Sequence, residues 1–200
     1  TALFPYGLIA RSGTPDTLGF YILHEGPLGV FDGTLREYDY DDVQETRKIE
    51  VTSNGGWIGI TDKYWLAALV PDQAENFTYR FVHSLENKDD RYQVDYIGQS
   101  SSLAAGASIE ITNRLFAGAK EVKLLDSYSE KFGIQNFDLA VDFGWFYFLT
   151  KPFFYAISWL NSYLGNFGLA ILAFTVLVKA VFYPLANKSY RSMAKMRDLT

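Results

Sequence analysis

The 200 residues include no cysteine and only two histidines, His24 and His83, which lie far apart in the chain. Without cysteine there is no disulfide framework, no thiolate metal site and no thiol nucleophile. Two isolated histidines make a histidine-rich metal centre unexpected as well. No glycine-rich phosphate cradle, serine triad, internal repeat or low-complexity tract is present. No start methionine or signal-like leader precedes the strand-like sequence at Thr1, and a translocated domain needs one or an anchor. The chain is therefore expected to be a fragment whose N-terminal part is missing.

Charge is divided unevenly. The net charge is −5, yet Lys188, Arg191, Lys195 and Arg197 give the last 17 residues a net +3 and leave −8 on the rest. An acidic body excludes DNA as its partner, whereas the basic tail suits anionic head groups or ribosomal RNA. The tail follows an apolar run. Phe167–Tyr183 is 17 residues with Lys179 as its only charge, and Pro184-Leu185-Ala186 extends it. About 20 apolar residues at ~1.5 Å each cross ~30 Å of hydrocarbon. The basic flank places the C-terminal end in the cytoplasm and residues 1–165 outside it.

Residues 1–118 read as strands throughout. A strand over Leu3–Ala10 is broken at Pro5, and Asp32-Gly33 signals a hairpin. The acidic run Tyr38–Glu45 is expected to be a solvated loop. Trp57–Thr61 and Tyr64–Val70, joined by Asp62-Lys63, form the clearest hairpin. Phe77–Leu85 and Arg91–Gly98 alternate around a charged turn, and Ser108–Leu115 is the last expected strand. This spacing predicts an antiparallel sandwich. At Ala119 the period changes: Val122, Leu125, Tyr128 and Phe132 predict a short amphipathic helix ended by Gly133.

Ten of the 21 residues in Phe143–Tyr163 are aromatic. Lys151-Pro152 interrupts them, so the segment is expected to lie in the outer membrane interface, kinked or started at Pro152 and anchored by Trp145, Phe148, Phe153 and Trp159. Gly165-Asn166 is the corner into the span. The expected divisions are 1–134 for the sandwich with its closing helix, 135–165 for the interfacial helix, 166–187 for the transmembrane helix and 188–200 for the start of a basic cytoplasmic region.

Chemistry is sparse. His24-Glu25, with Asp62, Asp89 or Asp90, is the only acid–base candidate, and adjacent strand residues point to opposite faces; a hydrogen-bonded turn is the plainer reading, and no enzyme is expected. On the span, helical spacing aligns Leu172, Thr175, Lys179, Tyr183 and Asn187. An ammonium at membrane depth costs about 2.5–3.5 kcal/mol, so this polar stripe belongs against other helices or a water-filled cavity, unless Lys179 snorkels to the head groups.

The stretches Gly55–Gln73, Asn113–Tyr128, Leu139–Phe154 and Val178–Met196 resemble, in order and without gaps, the membrane protein insertases of the YidC/Oxa/Alb family of Gram-negative bacteria. The resemblance implies a mainly β antiparallel supersandwich, galactose-mutarotase-like and here incomplete at its N-terminus, followed by the amphipathic, interfacial and second transmembrane helices. It also implies insertion of nascent inner-membrane proteins, alone or beside the Sec translocon, with the ribosome meeting cytoplasmic parts absent from this chain. No cofactor is implied. The family's hydrophilic intramembrane groove carries a positive charge, usually arginine; by the register of Tyr183-Pro184 that position is Lys179, and the groove position one turn earlier is Thr175. The alternative from the residues alone is a membrane-anchored module that binds a carbohydrate or protein and inserts nothing.

Overall fold

The computed structural model describes residues 2–17, 23–144 and 146–197, with side chains through residue 190. It divides into two compact units, Thr1–Asp142 and Phe143–Thr200.

The first unit is a sandwich. Strands β1 (Ala2–Leu3), β2 (Tyr6–Ser12), β3 (Gly26–Phe31) and β4 (Thr34–Glu37) precede helix α1 (Tyr40–Thr46). Strands β5 (Lys48–Asn54), β6 (Trp57–Thr61), β7 (Trp65–Val70), β8 (Asn76–Glu86), β9 (Asp89–Gly98), β10 (Ser101–Ser102) and β11 (Arg114–Ala119) follow, then α2 (Val122–Phe132) and a 3₁₀ turn, Phe137–Ala140. One sheet has the order β11-β7-β6-β3-β4 and the other β2-β9-β8-β5; β1 and β10 form a two-residue pair. All pairings are antiparallel.

The five-stranded sheet is the middle of three layers. Phe31, Ile58, Ile60 and Leu69 on one face pack with Phe77, Tyr79, Phe81, Tyr92, Val94 and Tyr96 of the four-stranded sheet. On its other face Leu28, Val30, Trp57, Leu66, Ala68 and Val70 pack with Leu125, Ile134, Phe137 and Ala140. Strands covered on both faces read as unbroken apolar runs, and β3 and β6 are buried at every position. The β6–β7 hairpin pairs as its sequence indicates, with Ile58 opposite Leu69 and Ile60 opposite Ala67. At the entry to β6, Gly56 has φ 91°, and a Cβ there would lie 2.1 Å from the Val30 carbonyl oxygen.

Three local expectations change. The acidic run is not a loop: α1 occupies it, because Tyr40 and Val43 drop into the inter-sheet core while Asp41 and Asp42 stay in the first turn, where carboxylates complement the helix dipole. The last strand is Arg114–Ala119; residues 108–113 form no strand. The boundary expected after residue 134 falls after Asp142, since Phe137 and Ala140 are core residues of the sandwich unit. Gly133 ends α2 as expected, left-handed at φ 63°, with its N–H donated to the Ser129 carbonyl.

The second unit is a helical hairpin. Helix α3 (Tyr147–Leu164) carries Pro152 within it, and α4 runs unbroken over Phe167–Arg197. The corner lies where expected: Gly165 is left-handed at φ 65° with its N–H on the Asn161 carbonyl, and the Asn166 side chain accepts the Leu169 N–H at 3.2 Å. The rings of Phe153 and Phe174 lie 5.0 Å apart, so α3 folds back against the first turns of α4.

Candidate functional site: the apolar helix and the mouth of the sandwich

Phe167–Tyr190 is long and apolar enough to cross a membrane, and almost none of it is buried. It is the only such helix among the described residues. Its regular geometry places Thr175, Lys179 and Tyr183 one above another at spacings of four. Lys179 and Tyr183 are exposed on the helix surface, as is Leu172. The Thr175 Oγ1–H donates to the Ile171 carbonyl at 2.8 Å, which leaves only its lone pairs to receive a partner. Pro184 sits inside the helix and deprives the Ala180 carbonyl of its usual donor.

Lys188, Arg191, Lys195 and Arg197 continue the same helix; the side chains of the last three lie outside the described residues, as does Trp145. Of the aromatic residues assigned to the interface, Phe148 and Trp159 are exposed, whereas Phe153 is turned partly against Phe174.

The sandwich candidates are each engaged in separate contacts. His24 donates Nε2–H to the Pro27 carbonyl at 3.1 Å with Nδ1 3.7 Å from Asp39, and Glu25 accepts the Lys63 N–H at 3.0 Å. Both are bound into turns. Asp90 accepts from His83 Nε2 at 2.8 Å and from the Thr14 hydroxyl at 3.0 Å, and those bonds hold its carboxyl below the usual carboxylate range. Asp62 pairs with Arg11.

That last pair sits in a feature that sequence reading missed. Between β2, the β6–β7 hairpin and β11 the sandwich has a cleft of about 450 Å³ lined by Ile9, Arg11, Ile60, Asp62, Trp65 and Ala117, among others. Tyr40 interacts with Arg11, and its hydroxyl is pushed up to about 12 by burial against the opposing pull of that guanidinium. Nearby, burial lowers the Lys120 ammonium. Arg11 and Trp65 come from different sheets, so no local spacing announces their meeting.

A profile of the YidC periplasmic domain matches residues 1–156, and one described as 60Kd inner membrane protein matches residues 159–200. The chain belongs to the YidC family. It is 48% identical over 195 residues to a membrane protein insertase YidC of Rickettsia felis, and 52% identical over 204 residues to one of Granulibacter bethesdensis. These matches cover 97% and 98% of this chain and 35% of each relative. The chain thus spans about a third of the length of these curated YidC relatives, and the boundary between the two matched profiles falls within α3. The antiparallel sandwich followed by an apolar terminal helix is consistent with the YidC periplasmic domain and the membrane segment beyond it.

Proposed function

We propose that this chain is the part of a membrane protein insertase that joins a periplasmic sandwich to one wall of a hydrophilic intramembrane groove. The observation that carries the reading is Lys179, an exposed cation inside an otherwise apolar span and in register with Tyr183 and Thr175. Such a stripe is stable in a bilayer only against other helices or water. The name of the relatives, membrane protein insertase, supports the same assignment.

In this reading the protein lies in the bacterial inner membrane, with residues 1–165 periplasmic and the basic end of α4 cytoplasmic. No covalent chemistry is involved. Lys179 attracts acidic groups of a nascent membrane protein, Tyr183 offers a hydroxyl, and Thr175 offers acceptor lone pairs. Lysine is a point charge without the guanidinium fork, so it selects substrate carboxylates with little geometric strictness. Phe148, Trp159 and their neighbours hold α3 at the outer interface. The Sec translocon and the ribosome are the partners of the complete protein, the latter through parts beyond this chain; lipid surrounds the span, and DNA has no role.

The test is complementation of an insertase-depleted strain by the full-length protein. Lys179→Ala slows insertion of substrates with acidic translocated segments and Lys179→Arg preserves it; normal growth and insertion with Lys179→Ala overturn the role of the charge. The cleft beside Arg11 and Trp65 favours a second reading, an anchored binding module. In that case an unrelated apolar span substituted for residues 166–183 keeps function, whereas the insertase reading requires its loss.

A further inference from the structure

The chain leaves the sandwich through a segment that is tied down on both sides of one residue. On the sandwich side, Gln135 and Asn136 reach three separate connections. The Gln135 N–H donates to Gln73 Oε1 at 3.4 Å, and the Gln73 amide donates in turn to the Gly56 carbonyl at 2.8 Å. The Gln135 amide donates to the Asn54 carbonyl at 3.4 Å, and the Asn136 amide to the Gly33 carbonyl at 2.8 Å. Ile134, Phe137 and Ala140 are buried in the adjoining core, and the Val141 N–H returns to the Asp138 carbonyl at 3.0 Å. Residues 134–141 are a strap bound to the sandwich.

On the helical side, the ties begin at Phe143. Its carbonyl accepts the Thr150 hydroxyl at 2.9 Å, and its ring meets those of Tyr147 and Phe154 with centroids 5.6 and 6.4 Å away. Gly144, left-handed at φ 70°, turns the chain inside the loop that this bond closes. Asp142 stands between the two sets of ties, and the division into compact units falls directly after it. Its carboxylate attracts the Lys120 ammonium, an interaction that imposes no torsion on the backbone.

Motion between compact units concentrates in the few residues whose torsions absorb it. We infer that Asp142 is a one-residue hinge, about whose backbone bonds the sandwich unit changes orientation against the helical unit. A long linker would let the sandwich drift. A single hinge residue keeps the point of attachment fixed and varies orientation alone. The inference goes beyond the groove and does not depend on what Lys179 receives.

The experiment is double electron–electron resonance on the full-length protein in nanodiscs, with spin labels on paired cysteines in a background otherwise without cysteine. Thr52→Cys with Glu130→Cys lies within the sandwich unit, and Thr52→Cys with Ser162→Cys spans the hinge; all three positions are exposed. The spanning distance distribution is expected to be about twofold wider than the internal one. Asp142→Pro fixes φ at about −65° and narrows it. Val141, at φ −91° and ψ 118°, is already extended as a residue before proline must be. Asp142→Gly adds torsional freedom and widens it. The internal pair keeps its width in both variants, which shows that the sandwich is intact. Equal widths in the wild type, or a spanning width that neither substitution changes, overturn the hinge. Hydrogen exchange fixes its position: residues 134–141 exchange as slowly as β6, and fast exchange there would spread the joint over the strap and overturn the assignment to Asp142. Lys179→Ala leaves the distributions unchanged, so failure of the groove reading and failure of the hinge are told apart.

Discussion

The indole N–H of Trp57 donates to the carbonyl of Gln135 at 3.1 Å, joining the central strand β6 to the segment that follows α2. The same ring meets Phe137 edge-on at 5.3 Å. Together they make residues 134–141 part of the sandwich instead of a leader to the membrane helices. Trp57→Phe retains much of the apolar contact and leaves the Gln135 carbonyl without its donor. It is expected to destabilise the sandwich by about 1–3 kcal/mol, read as a lower urea midpoint with unchanged slope.

Gly56 is a sharper test of the same joint. Its φ of 91° and the nearness of the Val30 oxygen leave no room for a methyl group. Gly56→Ala combines backbone strain of about 1–3 kcal/mol with a clash against main chain, which cannot move aside as a side chain can. The loss is expected to exceed that of Gly13→Ala, where positive φ is retained but nothing lies within 4 Å. Thermal unfolding of the two variants checks the order.

Asp90 sets an acid limit. Hydrogen bonds from His83 and Thr14 depress its folded value, so folding releases its proton near the ordinary value of about 3.9. Its contribution is fully present above that value and is lost as pH falls through the depressed one. Asp90→Asn is expected to flatten stability against pH below about 4 and to leave the neutral-pH slope unchanged. A denaturation series from neutral to acid pH measures it.

Thr175 and Lys179 are expected to separate in function. The Thr175 hydroxyl is already bonded to Ile171, so Thr175→Val removes only an acceptor and slows insertion less than Lys179→Ala does. A larger effect of Thr175→Val would show that its hydroxyl rotates to donate to substrate.

Much of this architecture is visible in local patterns. Alternation and two polar residues identify the β6–β7 hairpin, the 3.6-residue period and Gly133 identify α2, and hydropathy with one lysine identifies α4. What local patterns miss has a common cause. In α1 only Tyr40 and Val43 face the core, too few to establish a helical period among acidic neighbours. Segment 108–113 alternates as a strand does, yet among the described residues no strand pairs with it. The cleft joins Arg11 of β2 to Asp62 and Trp65 across two sheets, and only the fold brings them together. The Thr175 back-bond is a rotamer choice, to which spacing is blind.

Pro184 lies 17 residues after the first residue of α4, or roughly 26 Å along its axis at ~1.5 Å per residue, close to the far edge of a hydrocarbon layer about 30 Å thick. The carbonyl it frees, that of Ala180, lies one turn earlier, roughly 20 Å along the axis, beside Lys179 and still within the apolar run, so it shares the lysine's need for water or a neighbouring helix. The broken link between Ala180 and Pro184 gives the helix a compliant point just past Lys179. Beyond it, the basic turns can lean without tilting Lys179 out of register.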